Sequence, residues 1–213
     1  MLCLLPAAVH RFCLMITHFT ESDRNKLFLL YHLNPVHPKA PPVPKGPVLQ
    51  IVIIRHGEKP TEGDNLSAKG FERALALPDV LNKLLPRPPH FTYVPCIGTD
   101  KDATTRVRMM QTVLPYAVQH NLTINSDYAP DEIKGLAKEL RHHRGTVLLV
   151  WEHHNIVKIA AALGIEEPQE WPDEDYDSIW TITFQKGRAK GKARQPVLTK
   201  DRESIKPAAA SHR

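Results

Sequence analysis

Leu49-Gln50-Ile51-Val52-Ile53-Ile54-Arg55-His56-Gly57-Glu58-Lys59-Pro60 joins an apolar run to a short polar end. Its aliphatic, mostly β-branched run stops at Arg-His-Gly, which reads as a strand buried on both faces that delivers two polar side chains at its carboxyl end. Open α/β sheets place their ligands at that end. Gly57 lets the backbone turn and approach a ligand without a Cβ in the way, and Pro60 stops the strand.

Two further stretches extend this reading. Arg108-Met109-Met110-Gln111-Thr112 opens a helix, and Thr146-Val147-Leu148-Leu149-Val150-Trp151-Glu152-His153 is a second apolar strand that ends in a histidine. In this order and context the three stretches resemble the histidine phosphatase superfamily over roughly residues 47–184, and specifically its small members. The resemblance implies a phosphoglycerate mutase-like fold, a three-layer α/β/α sandwich around a central, mostly parallel sheet. The strand and helix signals fit such a sandwich independently.

Around this core, 213 residues hold one domain comfortably. The expected organisation is an N-terminal extension and Pro-rich linker over 1–47, a phosphatase-like domain over 48–185, and a basic tail over 186–213 that contributes one edge strand at most. Pro35, Pro38, Pro41, Pro42, Pro44 and Pro47 forbid a helix in the linker. The apolar patches of Met1–Thr20 are interrupted by His10 and Arg11 and are too short for a membrane span. They also lack the positive start of a secretory signal. Cys3, Cys13 and Cys96 form no close pair, which excludes a disulfide framework and makes a reducing, cytoplasmic compartment the expectation. The formal charge of +5 is uneven: residues 186–213 carry +7 and the remainder −2. A solvated terminus is the simpler reading of that tail, and nucleic acid is not the expected partner.

Several elements can be expected between the motifs. Ser67 is a reasonable N-cap, with Leu66 as a hydrophobic staple, for a helix carrying Leu77, Leu81 and Leu84 or Leu85 on its buried side, beyond a kink at Pro78. Phe91–Ile97 reads as a strand that Pro95 pushes towards an edge or a bulge. In the next helix Val107, Met110, Leu114 and Ala117 repeat at helical spacing and are expected to be core. A short strand at 122–124, a helix over 131–141, a strand over 146–151 and a helix over 154–163 ending before Gly164 follow. Between Glu166 and Asp177 lie seven acids and no base, an acidic loop expected to stay solvated. Residues 178–184 alternate as a final strand, pairing with 195–199.

The chemistry centres on His56. A neutral imidazole attacks phosphorus, and the phosphohistidine formed is later hydrolysed by water. Arg55 and Arg108 are fixed cations that fork onto phosphate oxygens, and His153 adds a donor when protonated. By resemblance, Arg55, His56, Arg108 and His153 are the catalytic set, of which Arg55, Arg108 and His153 bind the phosphate. Lys101 and Arg106 are neighbouring alternatives to Arg108, and the adjacent His153-His154 leaves the register of the second histidine open by one residue. For the acid that protonates the leaving group, Glu132 is named, with Asp131 beside it and Glu152 as a rival.

The pairs His142-His143 and His153-His154 raise the question of a metal, but adjacent residues rarely converge on one ion and no carboxylate or Cys sits at ligand spacing. No metal and no cofactor are therefore expected. The activity implied is a metal-independent phosphohydrolase acting on a phosphomonoester or phosphoramidate, its partner a phosphorylated small molecule or phosphoprotein. The alternative is a non-catalytic module of the same fold that binds a phospho-ligand or a protein.

Overall fold

In the computed structural model, β1 (Leu49–Arg55) runs through the middle of a six-stranded sheet. The structure describes residues 49–100, 103–185 and 195–205. The expected N-terminal extension, the Pro-rich linker, the 186–194 turn, Lys101 and the end of the basic tail lie outside the described residues.

After β1 the chain forms α1 (Ala68–Leu84), β2 (Phe91–Tyr93), β3 (Gly98–Asp100) and β4 (Ala103–Thr105). Next come α2 (Arg108–His120), β5 (Ile124–Asn125), α3 (Ile133–His142), β6 (Gly145–Trp151), α4 (His153–Ala162), β7 (Ser178–Phe184) and β8 (Val197–Arg202). The sheet order is β5-β2-β6-β1-β7-β8. The first four strands are parallel, β7 is antiparallel to β1, and β8 is antiparallel to β7. Because β1 and β6 pair in parallel with Arg55 opposite Trp151, His56 and His153 emerge at the same end of the sheet.

The alternation of β1 explains the layers. Val52 and Ile54 face Leu77 and Leu81 of α1 and Met109 and Val113 of α2. Ile51 and Ile53 face Leu136 and Leu140 of α3 and Ile156 and Ile159 of α4. Ile51 through Ile54 are fully buried, so a strand covered on both sides needs apolar residues at every position rather than at every second one. The result is the expected α/β/α sandwich. No helix among the described residues is long and apolar enough to cross a membrane.

Two expectations need correction. β2 is not an edge strand: it lies between β5 and β6, and it ends at Tyr93, before Pro95 can remove a ladder donor. α2 presents a face rotated by about one residue from the expected one. Met109, Val113, Tyr116 and Ala117 are buried, whereas Leu114 is 47% exposed. The rotation is fixed by Thr112, whose Oγ1 must point at β1 to accept the Gly57 N–H at 2.9 Å.

Candidate active site

The Arg-His-Gly turn is clamped by α1 and α2. A Cβ on Gly57 would lie 2.7 Å from the Gly70 carbonyl oxygen, and one on Gly70 would strike the Glu58 backbone. Both positions therefore need glycine for close approach. Ser67 caps α1, accepting the Gly70 N–H at 3.1 Å while its hydroxyl donates to the Glu58 carbonyl at 3.1 Å. On α2, Gln111 accepts the Leu66 N–H at 2.9 Å and donates to Asn65 Oδ1 at 2.6 Å. Gln111 and Thr112 thus act as splints for the loops on either side of the turn.

His56 is 5% exposed, and its Nδ1 lies 2.7 Å from the Gly57 carbonyl oxygen. A carbonyl only accepts, so Nδ1 carries the proton and Nε2 keeps its lone pair. Burial pushes the imidazole pKa down to about 4; the Gly57 bond opposes this, and the charges of Arg55, Arg108 and His153 reinforce it. The ring is therefore neutral at physiological pH, and the Arg55 and Arg108 charges help to hold it so. Tyr176 lies edge-on to it, 6.0 Å between ring centroids.

Arg55 is 2% exposed and has no carboxylate within ion-pair distance among the described residues. Its Nη1 donates to the carbonyls of Pro172, Asp173 and Asp175, Tyr176 stacks on the guanidinium at 3.9 Å, and Nε is buried without a partner. Burial lowers its pKa against the pull of Tyr176 and the nearby acids.

Arg108 begins α2 and donates to the Gly63 carbonyl at 2.6 Å and to that of Asn65 at 3.2 Å, with Asp64 at 3.7 Å. The adjacent histidines separate cleanly, because His153 is 8% exposed while His154 is exposed. His153 donates through Nε2 to Asp173 Oδ1 at 2.7 Å, and its Nδ1 is buried without a partner. Burial, then the Arg55 charge, lowers the His153 pKa. The bond from His153 holds the Asp173 carboxyl below its usual range.

None of the three acids named from the sequence lines the cleft formed by Arg55, His153 and their neighbours. Glu132 precedes α3, with its carboxylate towards Gly135, and Asp131 is beside it. Glu152 accepts from Asn155 Nδ2. The carboxylates that do line the cleft are Glu58, Asp173 and Glu174. Burial would raise the Glu58 pKa, but bonds from Arg73 at 3.0 and 2.9 Å hold it below the ordinary range.

The acidic loop is folded, not merely solvated. Asp175 accepts from the Asp177 and Ser178 N–H groups and from the Ser178 hydroxyl, while Trp171 donates to the Asp175 carbonyl and packs on Trp180. That turn carries Asp173 and Tyr176 to the site. Asp173 lies with His153 and His154 so that one ligand atom of each falls within 4.8 Å of the others, which supplies the carboxylate missing from the sequence argument against a metal.

No protein-family model matches the chain, and no curated protein matches it. Solved structures do. The chain is similar to the protein histidine phosphatase SixA complexed with tungstate, at 15% identity over 70% of this chain and 95% of that one, with a TM-score of 0.49. A mycobacterial glucosyl-3-phosphoglycerate phosphatase with inorganic phosphate gives 15% identity over 76% and 98%, with a TM-score of 0.47. A phosphoserine phosphatase mutant from Entamoeba histolytica with phosphoserine gives 13% over 73% and 97%, with a TM-score of 0.46. None of the three fixes the role of a residue in this chain.

Proposed function

We propose that this chain is a metal-independent phosphohydrolase of the histidine phosphatase type, with His56 as nucleophile. The observation that carries this reading is the His56 ring: buried, neutral, with Nδ1–H given to the Gly57 carbonyl and Nε2 left free near the charges of Arg55 and Arg108. A histidine that only bound phosphate would serve better protonated.

The Nε2 lone pair attacks phosphorus and a new N–P bond forms as the bond from phosphorus to the leaving group breaks, P–O in an aryl or acyl phosphate and P–N in a phosphohistidine, and the leaving group departs with the electron pair. Arg55 and Arg108 neutralise the equatorial oxygens. The incoming phosphate takes the place of Asp173 on His153, which then donates to it through Nε2. Water next attacks phosphorus, the N–P bond breaks, and the lone pair returns to Nε2 with release of inorganic phosphate.

The substrate class follows from the missing acid. Glu58 is held ionised by Arg73 and Asp173 by His153, so neither is ready to protonate an alkoxide. The third cleft carboxylate, Glu174, is exposed on the acidic loop with no bond among the described residues that aims it at the site. The site therefore suits leaving groups that depart without a strong acid, such as those of a phosphohistidine, an acyl phosphate or an aryl phosphate. The same lack of an acid favours the second reading, a phospho-ligand binding module without turnover.

The test is hydrolysis of p-nitrophenyl phosphate and of a phosphohistidine peptide by chelator-treated wild type and His56→Ala. Turnover that survives chelation and disappears in His56→Ala is expected. A folded wild type that binds phosphate but turns over neither substrate would establish the binding module instead.

A further inference from the structure

His153, His154 and Asp173 are contributed by two separate segments, the start of α4 and the acidic loop, yet their ligand atoms gather within 4.8 Å. The His153 and His154 rings lie 3.8 Å apart between centroids at 39°, and His153 Nε2 meets Asp173 Oδ1 at 2.7 Å. His154 makes no hydrogen bond among the described residues, and both it and Asp173 are exposed, so a cation can reach them directly from solvent. His153 is by contrast buried and pre-positioned. Two imidazoles and one carboxylate form a donor set suited to zinc, which takes three protein ligands and leaves a fourth position to water. At bond lengths of about 2.1 Å, tetrahedral ligands stand roughly 3.4 Å apart, so small rotations of the two exposed side chains close the site.

The other adjacent pair supplies the contrast. His143 bonds the Tyr93 hydroxyl at 2.6 Å and stacks on Phe91, and His142 Nδ1 donates to the Lys138 carbonyl. Both are already committed, and no such three-ligand group forms around them among the described residues.

We propose that His153, His154 and Asp173 form an inhibitory site for zinc or a zinc-like divalent cation. The ion takes the place of the proton between His153 Nε2 and Asp173 Oδ1, and the ring keeps that proton on Nδ1, so that His153 ligates as a neutral imidazole. Binding staples the acidic loop to α4 and keeps the Arg55 donors on the loop carbonyls. It also removes His153 from phosphate binding. The inhibitory consequence rests on the phosphohydrolase reading above; the site itself does not.

The test is calorimetric titration of zinc into the metal-free full-length protein, repeated with His154→Ala, Asp173→Asn and His142→Ala. The expected result is one ion bound, with affinity at least tenfold weaker in each of the first two variants and unchanged in the third. Equal affinity in wild type, His154→Ala and Asp173→Asn, or no saturable binding by wild type, would overturn the site. In parallel, zinc should inhibit p-nitrophenyl phosphate hydrolysis by wild type, and His154→Ala should need at least tenfold more zinc for half-inhibition. Saturation with zinc at undiminished turnover would overturn the inhibitory role. A wild type inactive without zinc would defeat the phosphohydrolase reading alone, because calorimetry decides the site independently.

Discussion

Arg55 and Arg73 are both buried, at 2% and 5% exposure, and their surroundings are opposite. Arg73 on α1 grips Glu58 with two bonds and Glu203 with a third at 3.0 Å, while Asp177 stands 3.7 Å away. Arg55 has only carbonyls, all three bonded to Nη1, and a tyrosine ring, and its Nε is buried without a partner. Burial opposes the charge of each. For Arg73 the bonds to Glu58 and Glu203 outweigh burial and its pKa is raised; for Arg55 they are missing and its pKa is lowered. A buried cation whose counter-charges are built in holds the fold together. One whose counter-charge is missing is prepared for an anion from outside. Sharing has a cost for the partners, since burial pushes the Glu203 carboxyl up to about 8 against the pull of Arg73.

The contrast can be broken at either end. Arg73→Met strands Glu58 and Glu203 and should lower unfolding free energy by about 3–5 kcal/mol, read from urea denaturation, with kcat per folded molecule within about twofold of wild type. A loss below about 1 kcal/mol would remove Arg73 from its structural role. Arg55→Gln should do the reverse, reducing kcat/KM by about 10²–10³-fold, as removal of one donor to a developing charge does, while its urea midpoint stays nearer wild type than that of Arg73→Met. Unchanged kinetics in Arg55→Gln would end the comparison.

His56 sharpens it through pH. An unfolded histidine takes its proton near 6.5, whereas folded His56 waits until about 4. Between those values the unfolded state binds more protons, so stability falls as pH drops. Wild type should lose about 3 kcal/mol relative to His56→Gln between pH 6.5 and pH 4, measured by urea denaturation at each pH. Parallel stability curves would mean that the ring titrates normally.

Much of this molecule was legible in the sequence, and what was not shares one cause. β1 and β6 announced themselves because strands covered on both faces need unbroken apolar runs, whereas the histidines at their ends were picked out by the resemblance, with the choice between His153 and His154 left to burial. The face of α2 was misjudged because Thr112 commits its side chain to a backbone N–H 55 positions away, which outweighs apolar periodicity. The acidic loop looked solvated because its seven acids are visible in sequence and its closure is not: Trp171 packing on Trp180 and the turn around Asp175 are tertiary facts. The Arg73 cluster joins residues 15 and 130 positions apart, so no local pattern marks it.

A nucleophilic His56 becomes bonded to phosphorus during turnover. Chelator-treated wild type mixed with p-nitrophenyl phosphate, quenched in alkali within the turnover time and analysed by mass spectrometry, tests this directly. An alkali-stable, acid-labile phosphate on the peptide containing His56, absent from His56→Ala, is the predicted result. Hydrolysis by wild type with no phosphate on that peptide, at a rate His56→Ala matches, would contradict it.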